Sequence, residues 1–229
     1  MFAYPASASV NRPIPKTRIY QHTKARSRLQ ARFVEEVEKI TWLYKLAPAT
    51  INLPAQKPVM EIQIFSVQLK GSELSEQVLQ AIDRAIPHPI AYEILSTTNG
   101  SRFAMAYKRP SETDKGHWVV EEYFYSQWNL TPDQARQPLP LCLNLNALCE
   151  RMLLHHIGVN GKPSIPIGDL VAVQRRIREC QREIAALESR LSKERQFNRK
   201  VELNAQLRAA RQSLIHLESQ FKDSSTWKN

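Results

Sequence analysis

The sequence is poor in cysteine and glycine, and it contains no long apolar run. Its three cysteines, Cys142, Cys149 and Cys180, form no CxxC pair, so the chain predicts no disulfide framework and favours a reducing compartment. No stretch approaches the roughly 18 consecutive apolar residues that a membrane span needs. The first ten residues also lack the basic and apolar regions of a secretory signal. We therefore expect a cytoplasmic protein that makes no contact with a membrane.

Sequence motifs of the common enzyme classes are missing as well. There is no phosphate-binding glycine loop, no dinucleotide-binding fingerprint, no nucleophile elbow and no zinc-protease helix motif. Cys149 and His156 are two helical turns apart, about 10 Å, which is too far for a shared tetrahedral zinc ion. We expect no cofactor and no bound metal, and the residues favour a non-catalytic role.

Positive charge is what the chain has in excess, and it is unevenly distributed. The formal net charge is +10. Residues 1–57 carry ten lysines and arginines against three acidic residues, and residues 167–229 carry thirteen against eight. Residues 58–166 carry nine against eleven. Two basic segments therefore flank a nearly neutral middle, a pattern that predicts an anionic partner, either nucleic acid or an acidic protein face.

Apolar periodicity in the middle of the chain predicts an α+β domain with a small mixed sheet. An amphipathic helix is expected over residues 24–46, where apolar side chains recur at helical spacing. A strand over 59–69 and a helix over 72–86 follow, and alternation near 90–94, 103–107 and 118–124 predicts a three-strand meander. The complete expected order is an extended basic arm (1–23), the α+β domain (24–157), a glycine- and proline-rich linker (158–168), a helical segment (169–222) and a tail (223–229).

The helical segment contains two heptad seams and neither glycine nor proline. The seams are out of register, and the phase slips across the polar stretch 192–200. One interpretation is an antiparallel hairpin that turns near Asn198, so that each arm covers the other. The alternative is one long helix that pairs with a second chain and makes a structural homodimer.

Clustered basic side chains are the candidate contacts for nucleic acid or an acidic partner. Arginine forks suit phosphate oxygens, and rows of arginines give salt-sensitive, sequence-tolerant binding. The opposing interpretation is a solvated helix flank in which the arginines pair with nearby glutamates. The candidates are Lys24, Arg26, Arg28 and Arg32 in the first helix, and Arg175, Arg178, Arg182, Arg199 and Lys200 in the helical segment.

A Mg²⁺-dependent nuclease is an alternative from a different functional class. Gln68 and Lys70 end a predicted strand with the Gln-x-Lys pattern of some restriction-type nucleases, and Glu61 is the nearest acid on that strand. In such sites carboxylates hold the metal and the lysine orients the attacking water. Strand alternation, however, places Glu61 and Gln68 on opposite faces.

Several stretches resemble an uncharacterised prokaryotic family of unknown function. They are residues 40–46 (ITWLYKL), 50–53 (TINL), 61–65 (EIQIF), 82–87 (IDRAIP), 106–109 (AYKR) and 196–204 (QFNRKVELN). Members of that family are often encoded beside Swi/Snf-type helicases and DNA methyltransferases in restriction-like antiphage islands. The resemblance implies an accessory part of a DNA-directed defence machine, and it transfers no catalytic residues. Our leading hypothesis is therefore a non-catalytic adaptor that contacts DNA, a helicase or a methyltransferase.

Overall fold

The computed structural model describes residues 1–23, 27–113, 118–129, 136–159 and 163–225. The chain divides into two compact units, Met1–Gly158 and Val159–Asn229. We call the first the sheet unit. The expected α+β class is confirmed, because the sheet unit combines helices with a mixed sheet and the second unit is helical.

Eight strands make two sheets within the described residues. The strands are β1 (Phe2–Ala3), β2 (Ser9–Pro13), β3 (Val37–Leu46), β4 (Ile62–Leu69), β5 (Ile90–Ser96), β6 (Gly100–Pro110), β7 (Trp118–Tyr125) and β8 (Gln137–Pro138). The main sheet has six strands in the order β2-β3-β4-β5-β6-β7, and a parallel pair, β1 and β8, forms the second sheet. Only β4 and β5 run parallel to each other in the main sheet, and a helix connects them.

Helices cover the main sheet on both faces. Phe65, Val67 and Leu69 of β4 are buried together with residues of the first, second and fourth helices. The fifth helix packs against β6 and β7, where its His156 stacks on Phe103 with 3.6 Å between ring centroids. The α-helices of the sheet unit are α1 (Lys16–Thr23), α2 (Ser27–Glu36), α3 (Pro48–Ile51), α4 (Glu76–Ala85) and α5 (Leu145–Ile157), with a short 3-10 turn at Ala6–Ala8.

The single helix expected over residues 24–46 is wrong in its second half. Helix α2 ends at Glu36, and β3 begins at Val37 and pairs with both β2 and β4. Two irregularities in the register of β3, after Val37 and after Trp42, insert extra residues into the strand. Each extra residue breaks the alternation by one position, so buried side chains recur at spacings that imitate a helix.

The extended arm expected over residues 1–23 is also wrong, because this segment is an integral part of the sheet unit. Residues Ser9–Pro13 form the edge strand β2, and α1 buries Ile19 in the core. Lys16 Nζ donates to the carbonyl oxygen of Phe33 in the last turn of α2 (3.1 Å) and to that of Val37, the first residue of β3. A cation at a helix C-terminus stabilises the exposed carbonyl groups, so Lys16 has a structural role.

The helical segment is an antiparallel hairpin, as one of the two interpretations predicts. Its arms are α6 (Ile167–Lys193) and α7 (Phe197–Ser225), joined by three residues. Val173 and Ile177 pack with Leu217 near the open end, and Leu187 packs with Leu203 near the turn. Because the segment forms two helices whose apolar rows cover each other, the alternative of one long helix that pairs with a second chain is wrong. The phase slip marks the turn.

Within the described residues, no helix is both long enough and apolar enough to span a membrane.

Candidate functional site

The basic cluster of the first predicted helix is only partly described. Lys24 and Arg26 lie outside the described residues. Arg28 is exposed on α2, whereas Arg32 is half-buried and its guanidinium lies 3.3 Å from the carboxylate of Glu36. The described part of this cluster therefore offers one exposed cation and one cation already paired one helical turn away.

The arginines predicted on α6 lie on neighbouring turns of one helix, as their spacing requires. Arg175 and Arg178 are half-buried and make contacts within the described protein. Arg182 is exposed, and its Nε donates to the carbonyl oxygen of Arg178 (3.3 Å). Part of this row is thus engaged within the chain.

A denser group of cations surrounds the turn of the hairpin. We define the hairpin tip as residues 190–201, which include the predicted contacts Arg199 and Lys200. All five cations of the tip are exposed, and none of their side chains forms an ion pair or hydrogen bond with another described residue. They are Arg190, Lys193, Arg195, Arg199 and Lys200.

Glu194 is the one acidic residue within the tip, and its carboxylate is engaged by the backbone. Its Oε1 accepts from the amide nitrogens of Arg195 (2.7 Å) and Gln196 (2.8 Å). Those two hydrogen bonds lower the pKa of Glu194, and nearby Arg199 and Lys200 add to the effect. The carboxylate organises the turn, and the five cations remain in excess.

Two large apolar side chains stand exposed among these cations. Phe197 is 78% exposed and Val201 is 50% exposed, one turn apart at the start of α7. Neither belongs to the apolar rows that join the two arms. An exposed aromatic ring among unpaired cations is the combination with which proteins bind single-stranded nucleic acid.

The structure does not bring together the residues of the predicted nuclease site. Glu61 precedes β4, whereas Gln68 and Lys70 lie at its other end, about 23 Å away at about 3.3 Å per residue. Gln68 Nε2 donates to Glu38 Oε2 (3.5 Å), and Lys70 is exposed. Within the described ranges, no group of three His, Cys, Asp or Glu side chains is close enough to hold a metal ion.

Glu61 belongs instead to a polar cluster at the start of β4. Its Oε2 lies 2.6 Å from Lys45 Nζ, and its Oε1 accepts from His88 Nε2 (3.1 Å) and Gln63 Nε2 (2.6 Å). Burial lowers the pKa of His88, and although Glu61 opposes this effect, Lys45 and Lys108 lower it further. Nε2 of His88 faces the carboxylate of Glu61 and is the ring nitrogen that donates to it.

A buried ion pair positions the segment that carries His88. Lys108 Nζ on β6 lies 2.6 Å from the carboxylate of Asp83, and both side chains are almost completely buried. The same ammonium donates to the carbonyl oxygens of Asp83 (3.1 Å), Ile86 (3.4 Å) and His88 (2.8 Å). Tyr123 donates its hydroxyl to Asp83. These bonds close the C-terminal end of α4 and fix the backbone at His88.

A cleft of about 390 Å³ opens beside this cluster, and we call it the edge cleft. Arg12, Trp42 and Phe65 occupy neighbouring positions on β2, β3 and β4 and so form a row of lining residues across three strands. The remaining lining residues are Pro13, Ile14, Pro15, Arg18, Glu61, Gln63, Ile86 and His88. The cleft thus combines apolar walls, two arginines and the polar cluster around Glu61.

One family model matches residues 2–214, and its description is Domain of unknown function (DUF4391). The chain belongs to this family. Both the edge cleft and the hairpin tip lie inside the DUF4391 segment, so each is part of the region that the family model covers. The predicted membership of an uncharacterised family is confirmed. Comparisons with curated proteins and with solved structures give no match.

Sequence reasoning named Glu61, Arg199 and Lys200 but missed most of their neighbours. The hairpin tip could have been recognised from the sequence, because the polar stretch between the two heptad seams contains both clustered cations and the aromatic residue Phe197. No local sequence pattern indicates the edge cleft, because Arg12, Trp42 and His88 come from separate segments that only the folded sheet unit brings together.

Proposed function

We propose that this DUF4391 protein is a non-catalytic accessory subunit that binds nucleic acid through its hairpin tip. The observation that carries the proposal is the group of five exposed cations around exposed Phe197, whose side chains have no hydrogen-bond or ion-pair partner among the described residues. Guanidinium and ammonium groups bind phosphate oxygens regardless of sequence. An exposed aromatic ring adds stacking on unpaired bases and so favours single strands over duplexes.

A DNA-directed antiphage defence or restriction-like complex is the assembly in which we place this subunit. The resemblance to a family often encoded beside Swi/Snf-type helicases and DNA methyltransferases supports this placement. The hairpin would present the tip to DNA, and a helicase or methyltransferase would be the protein partner. Co-purification with the product of a neighbouring gene supports the placement, and its failure for every neighbour counts against it.

The binding proposal is tested by titrating labelled single-stranded and duplex DNA and measuring fluorescence anisotropy at low salt. The test variant is Arg195→Gln/Arg199→Gln/Lys200→Gln. A matched control, Arg84→Gln/Arg151→Gln/Arg176→Gln, removes the same charge from three exposed positions outside residues 190–201. We expect the tip variant to lose affinity by about tenfold or more, since three phosphate contacts are removed, and the control to lose much less.

Two results overturn the binding proposal. One is a wild-type protein that binds neither DNA at low salt. The other is an equal loss of affinity in the tip variant and the matched control, because binding would then follow net charge alone.

A further inference from the structure

The edge cleft contains a buried acceptor to which no described residue donates a hydrogen bond. Gln63 is only 3% exposed, and its Oε1 is buried without a hydrogen-bond partner. Its Nε2 donates to Glu61 Oε1 (2.6 Å), which fixes the orientation of the amide, because a flip would place two acceptors against each other. A buried acceptor without a partner costs about 1–3 kcal/mol. A ligand that donates an N–H at this position would recover that cost.

The walls around Gln63 suit a flat ring system. Phe65 and Ile86 supply apolar surface, and Trp42 lies beside Phe65 on the neighbouring strand. The indole of Trp42 is held in place because its Nε1 donates to the carbonyl oxygen of Tyr44 (3.1 Å). The volume of about 390 Å³ is within the range of small-molecule sites.

The mouth of the edge cleft carries two cations. Arg12 on β2 and Arg18 on α1 are exposed, and neither side chain pairs with another described residue. The carboxylate of Glu61 is already held by Lys45, His88 and Gln63. The two guanidinium groups are therefore available to a phosphate, for which their planar fork of donors is well suited.

We propose that the edge cleft binds a nucleoside phosphate, with its base against Trp42 and Phe65, a base N–H on Gln63 Oε1, and its phosphate on Arg12 and Arg18. The ligand is a free nucleotide or an unpaired nucleotide of a strand, which share this chemistry. The proposal is independent of the hairpin tip, because the cleft lies entirely within the sheet unit.

The test is calorimetric titration of the full chain with the four nucleoside 5′-monophosphates and with inorganic phosphate. At least one nucleotide is expected to bind with a Kd below about 1 mM, and phosphate alone about tenfold more weakly. Gln63→Met should weaken nucleotide binding by about tenfold and leave phosphate binding unchanged. Arg12→Gln/Arg18→Gln should weaken both, whereas the controls Gln56→Met and Arg84→Gln/Arg151→Gln should change neither.

The source of the nucleotide is identified with a short oligonucleotide that ends in the same nucleotide. The protein is the tip variant Arg195→Gln/Arg199→Gln/Lys200→Gln, so that the hairpin does not contribute. Tighter binding than the free nucleotide, lost with Gln63→Met, supports an unpaired nucleotide of a strand. If the oligonucleotide binds more weakly than the free nucleotide, the natural ligand of the edge cleft is a free nucleotide.

Three results overturn the edge-cleft proposal. The first is that no nucleotide binds at concentrations up to about 5 mM. The second is that inorganic phosphate binds as tightly as the nucleotides. The third is that neither the Gln63 variant nor the arginine variant changes the nucleotide affinity. If Gln63→Met fails to fold, Arg12→Gln/Arg18→Gln carries the test, because both arginines are exposed. None of these results bears on DNA binding by the hairpin tip.

Discussion

Three cations of the sheet unit and the cations of the hairpin tip have opposite roles. In the sheet unit, Lys16 and Lys108 donate to backbone carbonyl groups at helix ends, and Arg136 forms a bidentate pair with buried Glu93 (2.5 and 2.9 Å). At the hairpin tip, Arg195 and Arg199 are exposed and have no partner in the described protein. A count of basic residues in the sequence does not distinguish these roles, whereas burial and partner atoms do.

The largest effect on stability is expected when Lys108, the buried cation of the sheet unit, is removed. Lys108→Ala leaves the buried carboxyl group of Asp83 without its cationic partner, and we expect it to lower the free energy of unfolding by about 3–5 kcal/mol. Urea denaturation followed by circular dichroism measures this change. Lys193→Ala at the hairpin tip is the matched control and should change stability by less than about 0.5 kcal/mol. If both variants lowered the free energy of unfolding by similar amounts, the claim that Lys108 is structural and Lys193 is not would be contradicted.

The next effect concerns the packing that joins the two arms of the hairpin. Leu207 is buried between α6 and α7, and Leu207→Ala should lower the free energy of unfolding of the hairpin by about 2–3 kcal/mol. Ile215 is 66% exposed on the same helix, so Ile215→Ala should have almost no effect. Equal effects in urea denaturation would contradict the hairpin packing.

A pH effect of intermediate size is expected from α5 of the sheet unit. Burial and, to a smaller extent, neighbouring His155 together lower the pKa of His156 to about 3. The unfolded chain takes up a proton near pH 6.5, whereas the folded protein does not. Stability is therefore complete above pH 6.5 and falls as the pH falls towards 3. The loss between pH 6.5 and 4.5 should be about 2 kcal/mol.

Urea denaturation at several pH values measures this dependence on His156. His156→Gln should remove that part of the pH dependence, and His216→Gln, at an exposed position on α7, should retain it. An unchanged profile in His156→Gln would assign the acid sensitivity to other groups.

The smallest effect on stability is expected at Phe197, where a large effect on binding accompanies it. Phe197→Ala should change the free energy of unfolding by less than about 0.5 kcal/mol, because the ring is mostly exposed. It should weaken binding of single-stranded DNA by about 1–3 kcal/mol through lost stacking. Anisotropy titration measures this change, and Val201→Ala is the neighbouring comparison. If Phe197→Ala binds single-stranded DNA as tightly as the wild type, the ring does not stack on bases and the tip binds DNA through phosphate contacts alone.

Local periodicity was sufficient to predict much of the fold. The meander β5–β6–β7 follows from clean alternation, and the hairpin follows from the two seams and their phase slip. Strand β3 was missed because its bulges disturb alternation, and β2 was missed because three prolines near it suggested an extended arm. Both errors concern pairing between distant segments, which a local pattern does not encode.

The two candidate sites also differ in whether a local sequence pattern or the pairing of distant segments forms them. Arg199 and Lys200 were predicted because the tip is one continuous stretch of sequence. The edge cleft depends on the register that places Arg12 beside Trp42 and Trp42 beside Phe65, and on the bonds from Lys108 that fix His88. Glu61 was singled out for a metal site, but its partners Lys45 and His88 come from other segments.

The proposal that the hairpin tip holds nucleic acid is tested most directly by the salt dependence of DNA affinity. Each phosphate contact contributes about 0.7 to the slope of log Kd against log salt concentration for single strands. The slope for Arg195→Gln/Arg199→Gln/Lys200→Gln should therefore be smaller than the wild-type slope by about 2. Equal slopes for the two proteins would contradict binding through the tip.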